Sequence, residues 1–280
     1  MSLDQIITAL VYLAAVFFVF IIGKFVFDKI NRRFDLKHEL LQNDNFALAL
    51  TVVGYYSGLI FALGGVLYGD SAGLVNDLID IVLYGLMAII LLNLSGIIND
   101  KIVLHTFDNT KEIIDDRNAG TGAIEGANYL ASGLMISGAI SGEGDVVTAL
   151  AFWALGQAAI VVGSKIYNLI TPFDVHAEVE KDNVAVGVAF AGVLVAIGNV
   201  VRVGVSGDFV SWSENLAVFI VVVVFGFILL PVVRYITDKM LLPGEKLTDE
   251  LINQETPNVG AGAIEAFSYV AASFLIGWVI

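Results

Sequence analysis

Apolar residues along this chain gather into eight blocks of about 20 residues, and polar residues fall mainly between the blocks. About 20 apolar residues are what a helix needs to cross a hydrocarbon core about 30 Å thick. The blocks lie near residues 5–27, 46–69, 77–98, 119–140, 146–170, 184–206, 214–236 and 259–280. They predict an all-α integral membrane protein of eight transmembrane helices, with the lipid bilayer as its first partner. Little of the chain remains for a soluble core.

The connections alternate in character. Those after the first, third, fifth and seventh blocks are long and carry Lys29, Arg32, Lys37, Lys101, Lys111, Arg117, Lys165, Lys181, Arg234, Lys239 and Lys246. The others are short or rich in Gly and Ser, as in Tyr68-Gly69-Asp70-Ser71 and Ser141-Gly142-Glu143-Gly144. Of 14 Lys and Arg residues only Arg202 falls on that second side, which holds Asp4, Asp70, Asp77, Asp80, Glu143, Asp145, Asp208 and Glu214. Basic connections stay in the cytoplasm, so both termini are expected in the periplasm. The first block has Asp4 before it and Lys24, Lys29, Arg32 and Arg33 at or beyond its end. That is the charge order of a retained anchor rather than of a cleaved signal peptide.

Polar landmarks recur. Asp44-Asn45-Phe46-Ala47 returns as Asp182-Asn183-Val184-Ala185, and Asp100-Lys101 returns as Asp238-Lys239, both 138 residues on. The run Asn118 to Glu125 (Asn-Ala-Gly-Thr-Gly-Ala-Ile-Glu) returns 140 residues on as Asn258 to Glu265 (Asn-Val-Gly-Ala-Gly-Ala-Ile-Glu). Internal repeats of this kind predict two tandem units, residues 1–141 and 142–280, each a four-helix membrane domain. Because each unit has an even number of spans, the two are expected to be parallel, related by an axis along the membrane normal. The Asp-Asn opening of a small-residue span, then Asp-Lys, then Gly-Ala-Ile-Glu, resembles the DUF350 (UPF0719) family across nearly the whole chain, as two copies. The resemblance implies four spans per copy and a bacterial inner-membrane location. It implies no particular activity.

Composition narrows the function classes. Charged residues make up 15% of the chain and hydrophobic ones 58%, where a soluble domain carries about a quarter charged. The absence of cysteine removes disulfides and thiolate chemistry, and a net charge of −14 argues against nucleic acid as a partner. No nucleophile–base set or phosphate-binding glycine loop occurs, so neither enzyme activity nor a cofactor is expected. His38, His105 and His176 fall in the long connections and read as solvated side chains. His176-Ala177-Glu178 alone does not complete a metal site.

Glu125 and Glu265 are the candidates for chemistry. Each lies about two turns inside a span, where a carboxylate is costly unless protonated, paired or hydrated. One turn on stand Asn128 and Tyr129 in the first copy and Ser268 and Tyr269 in the second, at i+3 and i+4 and so on the same helix face. The competing structural reading is that these polar groups hydrogen-bond between helices, and that both glutamates simply favour a helix amino end. Asn45, Asn118, Asn183 and Asn258 are expected helix caps. Pro231 stands where Asn93 does, so the copies should differ there. Two functions follow as expectations: a permeation or sensing unit for a small cation or proton through both glutamates, or a scaffold whose cytoplasmic connections recruit a protein partner.

Overall fold

The computed structural model describes residues 2–69, 71–242 and 244–280, and every regular element among them is helical. Seven helical stretches are long and apolar enough to cross a membrane: Leu3–Ile30, Phe46–Tyr68, Leu74–Val103, Val146–Ile170, Val184–Val205, Trp212–Leu241 and Val259–Val279. The remaining expected span, Ala119–Ala139, is a helix of 21 residues but a less apolar one. The reason is its position. It is enclosed by other helices, so Gly, Ser and Asn take places that Leu and Val hold on helices facing lipid.

In chain order the long helices are α1 (Leu3–Ile30), α3 (Phe46–Tyr68), α4 (Leu74–Ile98), α6 (Ala119–Ala139), α7 (Val146–Ile170), α9 (Val184–Val205), α10 (Trp212–Ile236) and α11 (Val259–Val279). Among the described residues three short α-helices lie between them, α2 (Leu36–Leu41), α5 (Asn109–Ile114) and α8 (Val175–Glu180), and a π-helical turn, Asp249–Asn253, lies between α10 and α11. Helices α3, α6, α9 and α11 pack side by side in that order as a central row. The contacts in the row are backbone against backbone. A Cβ on Gly54 would strike the backbone of Gly126, one on Gly187 that of Gly120, and one on Gly262 that of Ala185. Lipid supplies little hydrophobic drive for helix association, so close approach through small residues has to supply the dispersion energy. The other long helices flank this row, and α1 and α10 expose most of their apolar surface.

One joint is built alike along the chain. Asn45, Asn118, Asn183 and Asn258 cap α3, α6, α9 and α11, each side chain accepting from a backbone N–H three residues on. The backbone N–H of each donates to a glutamate carbonyl, on Glu39, Glu112, Glu178 and Glu250 in turn. The side-chain amides of the first three also cross to the next connection, Asn45 to Ile113 O at 2.8 Å, Asn118 to Val179 O at 2.6 Å and Asn183 to Leu251 O at 2.9 Å. Asp44, Arg117 and Asp182, just before those three caps, take positive φ of 48°, 55° and 62°. Pro257 cannot do so, and the fourth joint is longer. Burial pushes the Glu112 carboxyl above the usual carboxylate range, while the Asn118 amide, donating at 2.9 Å, opposes the shift.

These joints correct the picture of open loops. The long connections fold into short helices tied to one end of the bundle, and His176 bonds through Nε2 to Val103 O at 2.6 Å rather than standing free in solvent. α4 and α10 each run past their expected ends as a π-helical turn, Asn99–Val103 and Thr237–Leu241. At the opposite end, Glu143 N donates to Asp208 Oδ1 at 2.9 Å and Phe209 N to Glu143 O at 2.6 Å. Asp77 there accepts from Tyr12 and from Ser71. Asp70, counted with this acidic side, lies outside the described residues.

Candidate functional site

The capping of α6 by Asn118 sets Glu125 two turns into the helix, on the side facing α1 and α4. There it borders a cavity of about 520 Å³. The walls at its level are Tyr129, Asn93 and Gly96, and Phe34 and Phe107 add aromatic surface. The mouth is formed by Arg33, Asp100, Lys101, Asp108 and Thr110 at the short-helix end, where Arg33, Lys101 and Asp108 are exposed. Most mouth charges already have partners. Lys101 pairs with Asp100 at 2.8 Å, and Asp108 caps α5 by accepting from Thr110 N and Lys111 N. Glu125 forms no ion pair among the described residues. Asn109, 3% exposed, also lines the cavity, and neither its amide oxygen nor its nitrogen has a partner among the described residues.

Glu265 holds the matching place on α11 in different surroundings. It is fully buried at 0% exposure and pairs with the Arg234 guanidinium, itself only 9% exposed. The Tyr167 hydroxyl donates to the same carboxylate at 3.2 Å. The guanidinium carbon lies 5.9 Å from the Tyr167 ring centre and 5.8 Å from that of Phe173, within cation–π range. The space outside it is a smaller cavity of about 290 Å³, bordered by Arg234, Pro231, Asp238 and Lys246 but not by Glu265. Arg234 therefore stands between the carboxylate and the opening. The two glutamates, expected to act as a matched pair, are one accessible acid and one neutralised acid.

The remaining expected residues divide as well. Tyr129 faces the cavity with Glu125. Asn128 does not; it is fully buried and donates to Ser95 O at 3.0 Å. Ser268 bonds back to Ile264 O at 2.7 Å, and the Tyr269 hydroxyl donates to Leu230 O at 3.2 Å. These three bond within or between helices, with the Asn128 amide oxygen left without a protein partner among the described residues. Among the described residues no cluster of three or more His, Asp or Glu suited to a metal ion occurs.

Sequence reasoning placed Arg234 among the connection charges. It sits instead in the last turn of α10, inside the bundle. The signal that would have found it is the Asp-Lys register: 138 residues before Arg234 stands Gly96, so the copies differ by one guanidinium at that point. Tyr167 was missed for a related reason. It occupies the place near the end of α7 that Phe27 holds near the end of α1, each meeting the next tyrosine edge-on (Tyr269 at 5.9 Å, Tyr129 at 6.1 Å).

Comparison with known proteins agrees with the tandem motifs. The family model described as Domain of Unknown Function (DUF350) matches twice, over residues 1–140 and 143–280. A UPF0719 transmembrane protein of Aquifex aeolicus (strain VF5) is 26% identical over 270 residues, covering 94% of this chain and 97% of that protein. The UPF0719 transmembrane protein YshE of Bacillus subtilis (strain 168) is 26% identical over 134 residues, 48% of this chain and 93% of that protein. No solved structure matches the chain.

Proposed function

This chain belongs to the DUF350 family, with two copies of the domain in tandem, and we propose that only its first copy carries an exchangeable cation or proton site. In this reading all eight long helices cross a bacterial inner membrane, as two parallel four-helix units with both termini periplasmic. The cavity then opens to the cytoplasm and ends on Glu125 within the membrane. A small cation or proton enters past Arg33 and Lys101, reaches the carboxylate and is released or passed on, as the working part of a permeation or sensing unit. The second copy is the fixed partner, with its acid neutralised from within.

The observation that carries this reading is the contrast between Glu125, open to a 520 Å³ cavity, and Glu265, held by Arg234. A carboxylate left without a fixed cation in a wet intramembrane space is the usual mark of an ion or proton path. The scaffold alternative draws less support, because the connections it relies on are bonded into the bundle through Asn45, Asn118 and Asn183.

Purified protein in liposomes provides the test. Cation or proton flux above that of empty liposomes is expected for wild type and for a Glu→Gln change on the surface residue Glu255. Glu125→Gln, which keeps the shape and removes the charge, should reduce it by more than about tenfold. Equal flux in Glu125→Gln and wild type, or no flux in either, would contradict the proposal.

A further inference from the structure

We infer that the ligand of the Glu125 cavity is a small organic cation bearing a guanidinium or alkylammonium group, and that Arg234 is the built-in counterpart of that ligand in the second copy. The inference rests on the cation-site reading above and narrows its ligand class.

The two copies present related cradles, one filled and one open; the acid and one phenylalanine recur, while Phe27, buried and outside the cavity, holds the place of Tyr167. In the second, the guanidinium of Arg234 lies on the Glu265 carboxylate, with the rings of Tyr167 and Phe173 5.9 and 5.8 Å away. In the first, Glu125 takes the place of Glu265, and Phe34 takes that of Phe173, each phenylalanine immediately preceding the aspartate that caps a short helix (Asp35 and Asp174). Phe34 lines the cavity with Glu125 and Tyr129. The first copy lacks the guanidinium, because Gly96 stands at the position of Arg234, and it lacks the Tyr167 hydroxyl, because Phe27 stands in that place. A cavity of about 520 Å³ exceeds what a bare metal ion needs and accommodates a ligand of several heavy atoms.

The chemistry of the lining agrees. A cavity lined by an acid together with Phe34, Phe107 and Tyr129 favours a delocalised or alkylated cation over a compact, strongly hydrated one, since the rings replace water poorly around a small ion. Asn109, buried with its amide oxygen and nitrogen both free of protein partners, adds an acceptor that a multi-donor guanidinium can use. Lys101, held by Asp100 at 2.8 Å, leaves Arg33 as the one mouth cation without an ion pair among the described residues. Glu125 thus remains the acid available to an incoming cation.

The test is calorimetric titration of the detergent-purified full chain with methylguanidinium, methylammonium and potassium. Methylguanidinium should bind, potassium should not displace it at equal concentration, and Glu125→Gln should weaken binding by more than about tenfold. In Arg234→Ala the vacated cradle should take up methylguanidinium as well, seen as a second site or as a larger ligand-induced rise in unfolding temperature than wild type shows. If that variant does not fold, the wild type and Glu125→Gln still decide the matter. Potassium or proton flux that depends on Glu125, without methylguanidinium binding, would overturn the inference and leave the cation site standing. Absence of both Glu125-dependent flux and binding would overturn the two together.

Discussion

Arg234→Met should destabilise the protein by about 3–5 kcal/mol, the cost of leaving a buried charge without its partner. Glu265 has no exposed surface, and once the guanidinium is gone only the Tyr167 hydroxyl, among the described residues, still donates to it. Glu265→Met alone should cost a similar amount by stranding Arg234. The double variant Arg234→Met with Glu265→Met should recover most of the loss, because apolar side chains of similar volume often replace a buried pair without penalty. Chemical unfolding in mixed micelles measures all three against wild type. Losses that simply add in the double variant would show that the pair is not a coupled unit. Glu125→Gln, at a position that faces a cavity and has no ion pair among the described residues, should change stability by less than about 1 kcal/mol.

The second large effect is expected in the central row. Gly54→Val should cost more than about 3 kcal/mol and yield little folded protein, because its Cβ would meet the backbone of Gly126 and no side chain there can turn aside. Gly64, on the same helix, has nothing within 4 Å of an added Cβ. Gly64→Ala should therefore be neutral to within about 0.5 kcal/mol. Comparing the yield of folded protein and the unfolding midpoint of the two variants distinguishes a close-packed row from a loose bundle. Equal tolerance at both positions would mean that α3 and α6 do not approach as described.

Much of this architecture was legible in the hydrophobic pattern, since lipid demands long apolar helices with their backbone bonds satisfied internally. The capping asparagines were legible too, because Asn before an apolar run has a local physical job. What escaped was set by contacts distant in sequence. The enclosed α6 is itself among the expected spans, but its lower apolar content, set by its place in the row, was not foreseen. α2, α5 and α8 are six residues each, too short to show a period, and their joints depend on positive φ at Asp44, Arg117 and Asp182. The pairing of Arg234 with Glu265 joins two helices 31 residues apart, and counting Arg234 as a membrane-boundary charge concealed it.

Whether an aqueous path reaches the level of Glu125 and not that of Glu265 can be read by cysteine accessibility, since the chain has no cysteine of its own. Glu125→Cys and Ser268→Cys, the latter one turn from Glu265, are exposed in oriented vesicles to a small cationic, membrane-impermeant thiol reagent. Glu125→Cys should react only from the face carrying the short helices, and Ser268→Cys should stay unmodified from both faces. Equal modification of the two, or a Glu125→Cys that reacts from neither face, would contradict this expectation.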